Sequence, residues 1–173
     1  MVEKIGLPKI KAKDIDKNKD NARDFIQLFI EKYYKMLGKL PARSKETWEK
    51  LDVSQYTLAT FHELDDHVIW GGFIAVAQYG YVKFVFDNLF IETIRAWGAV
   101  KTANIVEKAK VIYEKYKEIL EIKYDIDDRD DIYKVIPDFI PLNEEYYQIH
   151  NAETEIIKKY VENNLNDFGV IIE

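Results

Sequence analysis

At 173 residues the chain matches the ordinary size of one domain, and a second independent core is not expected. Its 47% hydrophobic and 32% charged residues are too apolar for a disordered chain, and the absence of cysteine removes disulfides, thiol nucleophiles, zinc ribbons and iron–sulfur ligation together. A net charge of −6 argues against nonspecific attraction to nucleic acid phosphates.

Residues 1–20 carry six lysines against four acids, which leaves −8 for residues 21–173. The N-terminus has no apolar signal-peptide core. The uncharged run from Val68 to Val82 is shorter than the roughly 18–20 residues that span a bilayer. A cytoplasmic protein with no membrane segment is expected. Only 7 glycines and 4 prolines interrupt the chain, which favours long helices over turn-rich sheets.

Residues 1–18 alternate lysine with acids and read as an extended arm, with one helical domain over 19–173. From about Asp20, Ala22, Phe25, Ile26, Phe29, Tyr33, Met36, Leu37 and Leu40 repeat at three-and-four spacing, predicting an amphipathic helix stopped near Gly38 by Pro41. Ser54 is a candidate cap for a second helix to about Val68, with Leu58, Phe61, Leu64, Asp65 and Val68 on one face. Trp70-Gly71-Gly72-Phe73 interrupts it, and Phe73–Gln78 reads as a buried central segment ended by Gly80.

Asn88 is expected to cap a helix through Trp97, with Gly98 as its left-handed terminator. A longer helix is predicted from about Lys101 to Tyr124, its stripe formed by Ile105, Ala109, Ile112, Tyr113, Tyr116, Ile119 and Leu120. After the acidic run Asp125–Asp131, Pro137 and Pro141 bracket an irregular stretch. Asn143 is then expected to cap the last helix, with Tyr146, Ile149, Ile156, Ile157, Tyr160, Val161, Leu165 and Phe168 inward. No strand pattern exceeds a few residues. The predicted fold is all-α, about five to seven helices packed around a central Gly-Gly-Phe helix segment.

Two strings suggest metal chemistry. His62-Glu63-Leu64-Asp65-Asp66-His67 looks like a zinc-protease helix, but its second histidine falls at i+5. Five residues advance a helix by about 500°, so His67 lies roughly 140° around from His62. A His62/Asp66 pair shares a face and would need further ligands from elsewhere. Asp125, Asp127 and Asp130 approach calcium-loop spacing, yet Asp130 stands where that loop needs glycine and Ile136 where it needs a bidentate glutamate. There is no GxGxxG, P-loop or GxSxG, and no nucleophile is spaced to use His150. No catalytic residue, metal or cofactor is expected.

Trp70-Gly71-Gly72-Phe73, Gly80-Tyr81, Phe86–Phe90, Trp97-Gly98-Ala99 and the Ala109…Tyr113 helix occur in an order that resembles the core of the DNA-mimic protein 19 family. Asp131–Tyr133, Pro137–Phe139, Leu142, Tyr160-Val161 and Asp167-Phe168 continue the resemblance, which covers about residues 50–170. The chain departs from the family at Trp70, where an asparagine is usual, and at Ala75, where a glutamine is. The resemblance implies an all-α fold, often a homodimer, and a family mostly without assigned function. Its namesake displays carboxylates at phosphate-like spacing to sequester a DNA-binding protein.

The expectation is therefore a non-enzymatic protein that binds another protein, a DNA-binding protein among the candidates, without direct contact to nucleic acid. Its expected surface is Asp125, Asp127, Asp128, Asp130, Asp131, Glu144 and Glu145, with Trp70, Gly71, Gly72, Phe73, Trp97 and Gly98 as the family core motif. A metal-dependent hydrolase using His62, Glu63 and Asp66 is the alternative, and self-assembly through the tyrosine-rich helices a third reading.

Overall fold

The structure, a computed structural model, describes residues 2–38, 44–122 and 125–173. Its first element corrects the expectation of an extended arm. β1 (Lys9–Lys11) pairs in parallel with β2 (Val170–Ile172), Ile10 opposite Ile171, and Ile10 is fully buried. The next turn is helical, α1 (Ala12–Asn18). Upstream, the Ile5 N–H donates to the Lys50 carbonyl and the Lys4 ammonium to the carbonyls of Glu49 and Leu51. The N-terminal residues are thus tied to the body by backbone pairing.

α2 (Ala22–Leu37) follows its predicted stripe, burying Ala22, Phe25, Ile26, Phe29, Ile30, Tyr33 and Leu37. Met36, expected inside, is 41% exposed. Asn21 caps the helix by accepting from the Asp24 N–H, and Gly38 closes it with φ +68°. Leu40 and Pro41, assigned to the end of this helix, lie outside the described residues.

After the single turn α3 (Lys45–Trp48), α4 (Val53–Gln78) starts on Asp52 rather than Ser54. Asp52 accepts from the Gln55 N–H while the Gln55 side chain accepts from the Asp52 N–H, a closed capping box. The same Gln55 amide donates to the Gly6 carbonyl at 2.6 Å. Because it serves the cap and the N-terminal segment at once, Gln55→Ala is expected to cost about 2 kcal/mol in urea unfolding. A loss below about 0.5 kcal/mol would show that neither bond matters.

α5 (Val82–Val85) is one turn, and α6 (Asn88–Ala96) is capped by Asp87 rather than by Asn88. Gly98 takes the expected left-handed turn, φ +102°. The helix predicted over 101–124 divides into α7 (Val100–Lys115) and α8 (Lys117–Leu120). The break is at Tyr116, whose φ of −113° leaves the helical range. Tyr124 lies outside the described residues.

α9 (Arg129–Val135) is followed by a 3₁₀ turn, Pro137–Phe139, and by α10 (Ile140–Asn163). Pro141 sits in the first turn of α10, where no backbone donor is needed. Asn143 therefore lies inside the helix and does not cap it.

One buried cluster runs from Ile10 to Phe168, and Phe29, Phe61, Phe73, Phe90, Phe139 and Tyr146 are among its fully buried rings. The described residues hold ten α-helical segments, because single turns divide what the periodicity joins. The fold is mostly helical, and no described helix is long and apolar enough to cross a membrane.

Candidate interaction surface

The Gly-Gly interruption joins three helices. At Gly72 the backbone turns to φ +69°, ψ −172°, and the helical ladder of α4 breaks. The Tyr133 hydroxyl, from α9, donates to the Gly71 carbonyl at 2.7 Å. The Asn143 carboxamide, from α10, accepts from the Phe73 N–H at 2.9 Å and donates to the Tyr133 oxygen at 2.9 Å. Two backbone groups stranded by the kink are thus satisfied by one hydrogen-bonded pair. Burial pushes the Tyr133 hydroxyl up to about 12, so it stays a donor near neutrality.

The Trp-Gly-Gly-Phe string is not a core unit as a whole. Gly72 and Phe73 are buried, but Trp70 is 82% exposed. Trp97 and Gly98 belong to another part of the fold. The Trp97 ring stacks on Tyr160 at 4.7 Å and meets the edge of Phe168 at 5.4 Å.

The acidic run is fastened to α4 by its one cation. Arg129 fills the space beside Gly71, where a Cβ would meet its guanidinium, and its Nε donates to the Gln78 carboxamide at 2.7 Å. Asp125, Asp127, Asp128, Asp130 and Asp131 are all exposed. Asp128 accepts from the Asp125 N–H at 3.1 Å, and Asp131 pairs with Lys134 three residues on. Among the described residues Asp127 and Asp130 form no ion pair.

Glu144 and Glu145 are both exposed at the start of α10 but point to different neighbours. The charges of Glu144 and Arg129 act on the Tyr147 hydroxyl in opposite directions, Arg129 lowering its pKa and Glu144 raising it. Glu145 lies 3.4 Å from Lys108 of α7 instead.

The histidine helix separates its groups. His62 lies 3.5 Å from Asp66, as the i,i+4 spacing predicts, and Asp66 also holds Arg23. His67 turns to the Glu63 backbone carbonyl at 2.7 Å, with its ring between Tyr79 and Tyr81. The Glu63 carboxylate accepts from the Tyr34 hydroxyl. Among the described residues, no three histidine or acidic groups converge as a metal site would require.

A polar cluster that sequence reasoning missed lies one residue away. Asp65 is buried and accepts from the Tyr146 hydroxyl at 3.0 Å, with His150 at 3.4 Å and Arg23 at 3.6 Å. Burial raises its pKa above the ordinary carboxyl range, against the opposing pull of Tyr146, Arg23 and His150. The one available signal was an aspartate on an otherwise apolar helix face.

The sequence profile of the DMP19-like protein family matches residues 49–164. The "DNA mimic protein DMP19" of Neisseria meningitidis serogroup B (strain ATCC BAA-335 / MC58) is 27% identical over 127 residues, 73% of this chain and 77% of that protein. The profile begins just before α4 and ends with α10, so it takes in the kink, Tyr133, Asn143 and the acidic run.

Proposed function

Because this chain belongs to the DMP19-like protein family, we propose that it acts without catalysis, by binding the basic surface of a DNA-binding protein in place of DNA. The observation that carries the reading is the run 125–131. It exposes five aspartates while its single arginine folds back onto α4. Carboxylates held on a 3₁₀ turn and the first turn of α9 present negative charge that basic side chains of a partner can meet with little rearrangement. The relative named a DNA mimic supports the same direction. Residence in the cytoplasm and pairing into a homodimer belong to the same proposal, and light scattering of the purified chain reads the second directly.

The test is competition. The immobilised chain is expected to capture partners at low salt that duplex DNA displaces. A variant with Asp127, Asp128, Asp130 and Asp131 all changed to asparagine is expected to bind them about tenfold more weakly, or worse, with an unchanged melting temperature. Equal capture by the neutralised variant, or capture indifferent to duplex DNA, overturns the proposal.

A further inference from the structure

On the opposite end of α4 from the kink, a cleft of about 450 Å³ opens between the first turns of α4 and α6. Its volume is in the range of small-molecule sites. The floor is apolar and aromatic: Trp48 stacks on Phe84 with ring centroids 4.5 Å apart, and Tyr56 meets Trp48 edge-on at 5.8 Å. Leu51 lies beside them. At the mouth, Val53 and Leu89 are 50% and 47% exposed, leaving apolar surface open to water on both sides.

The rim carries three carboxylates and three ammonium groups, and their commitments differ. Asp52 caps α4. Asp87 caps α6 with one oxygen and accepts from the Tyr56 hydroxyl with the other at 2.9 Å. Glu49 pairs with Lys45 at 3.5 Å. Each aspartate thus offsets a helix N-terminus, whose own partial charge is positive. Lys4 and Lys83 have no carboxylate partner among the described residues. The Lys4 ammonium is held in place by the carbonyls of Glu49 and Leu51, with a third proton left over. The Lys83 ammonium lies over the Phe84 ring, 5.0 Å from its centre.

We propose that this cleft binds a small organic acid, an aryl or branched-alkyl carboxylate whose apolar body lies on Trp48, Leu51 and Phe84 and whose carboxylate meets Lys4 and Lys83. The site is independent of the acidic surface, so either proposal can fail alone.

The full chain, ¹⁵N-labelled, is titrated with 3-phenylpropionate, with 3-phenylpropan-1-ol as its neutral counterpart and 3-phenylpropylamine as its cationic one. Saturable amide shifts are expected at Glu49, Leu51 and Leu89, with the acid binding about fivefold more tightly than the alcohol and the amine weakest. Lys83→Gln is expected to erase much of the acid's advantage without changing the alcohol's affinity. Leu89→Glu, at an exposed position, is expected to weaken all three by blocking the mouth, and the acid most. Equal affinity for acid and alcohol, an indifferent Lys83→Gln, an indifferent Leu89→Glu, shifts confined to other clefts, or no saturable shift each overturn the proposal.

Discussion

Gly72→Ala is expected to lower stability by about 3–5 kcal/mol, from two separate causes. At φ +69° and ψ −172° the backbone occupies a region essentially reserved for glycine, and a side chain there costs about 1–3 kcal/mol. The added Cβ would also fall on the Tyr133 hydroxyl and the Asn143 carboxamide. Those two groups satisfy the Gly71 carbonyl and the Phe73 N–H. Displacing them strands the buried Phe73 N–H and the half-buried Gly71 carbonyl, the first at a cost of about 1–3 kcal/mol. For a chain of this length the melting temperature is expected to fall by roughly 10 °C.

Gly71→Ala is the control. Its Cβ would meet the Arg129 guanidinium, the far end of a flexible side chain, and the Ala75 Cβ at 2.8 Å, but at a position already helical and without touching Tyr133 or Asn143. Alanine's better helix propensity, about 1 kcal/mol, offsets part of that contact. Urea unfolding of both variants separates the two cases. If they lose the same stability, the kink is not what distinguishes them. Gly72→Ala combined with Asn143→Ala is expected to cost less than the sum of the two, since both break the same bonds.

The kink shows where sequence reasoning reaches and stops. Paired glycines inside an apolar run signal a bend or a close approach, and the structure has both. The residues that close the bend were not legible as such. Asn143 follows a proline at the start of a helix and looks like a cap. Pro141 in the first turn shows instead that the helix begins earlier and that Asn143 faces inward. The family resemblance puts Trp70 in the core motif, but a helix turns about 100° per residue, and that turn leaves its ring in water.

Long stripes were legible because burial repeats with the helical period, as α2 shows. Caps slipped by one or two residues, to Asp52 from Ser54 and to Asp87 from Asn88, because adjacent oxygen-bearing side chains compete for the same N–H groups. The β1–β2 pair was out of reach: three residues at one end of the chain find three at the other, and neither is long enough to show a period. The acidic residues were visible at once. Their arrangement was not, since only the fold turns Glu145 of α10 toward Lys108 of α7.

Asp65→Ala is expected to cost about 2–4 kcal/mol at neutral pH, while Asp65→Asn costs far less. Alanine leaves the fully buried Tyr146 hydroxyl without its acceptor and removes the carboxylate from between His150 and Arg23. Asparagine keeps an acceptor for Tyr146. The pH dependence separates the two variants further, and its sign follows from the raised pKa of Asp65, which burial dominates. A carboxyl that holds its proton more tightly when folded contributes stability that is complete below its ordinary value near 3.8 and is lost as pH rises through its folded value. Wild type is therefore expected to lose stability relative to Asp65→Asn as pH rises from about 3.8 through the raised folded value of Asp65. Taking the difference between the two proteins removes the other carboxylates, Asp138 included, whose lowered pKa gives the opposite slope. A difference that grows in wild type's favour with rising pH would mean that Arg23 and His150 outweigh burial, and that the cluster is an ion-pair site rather than a buried polar one.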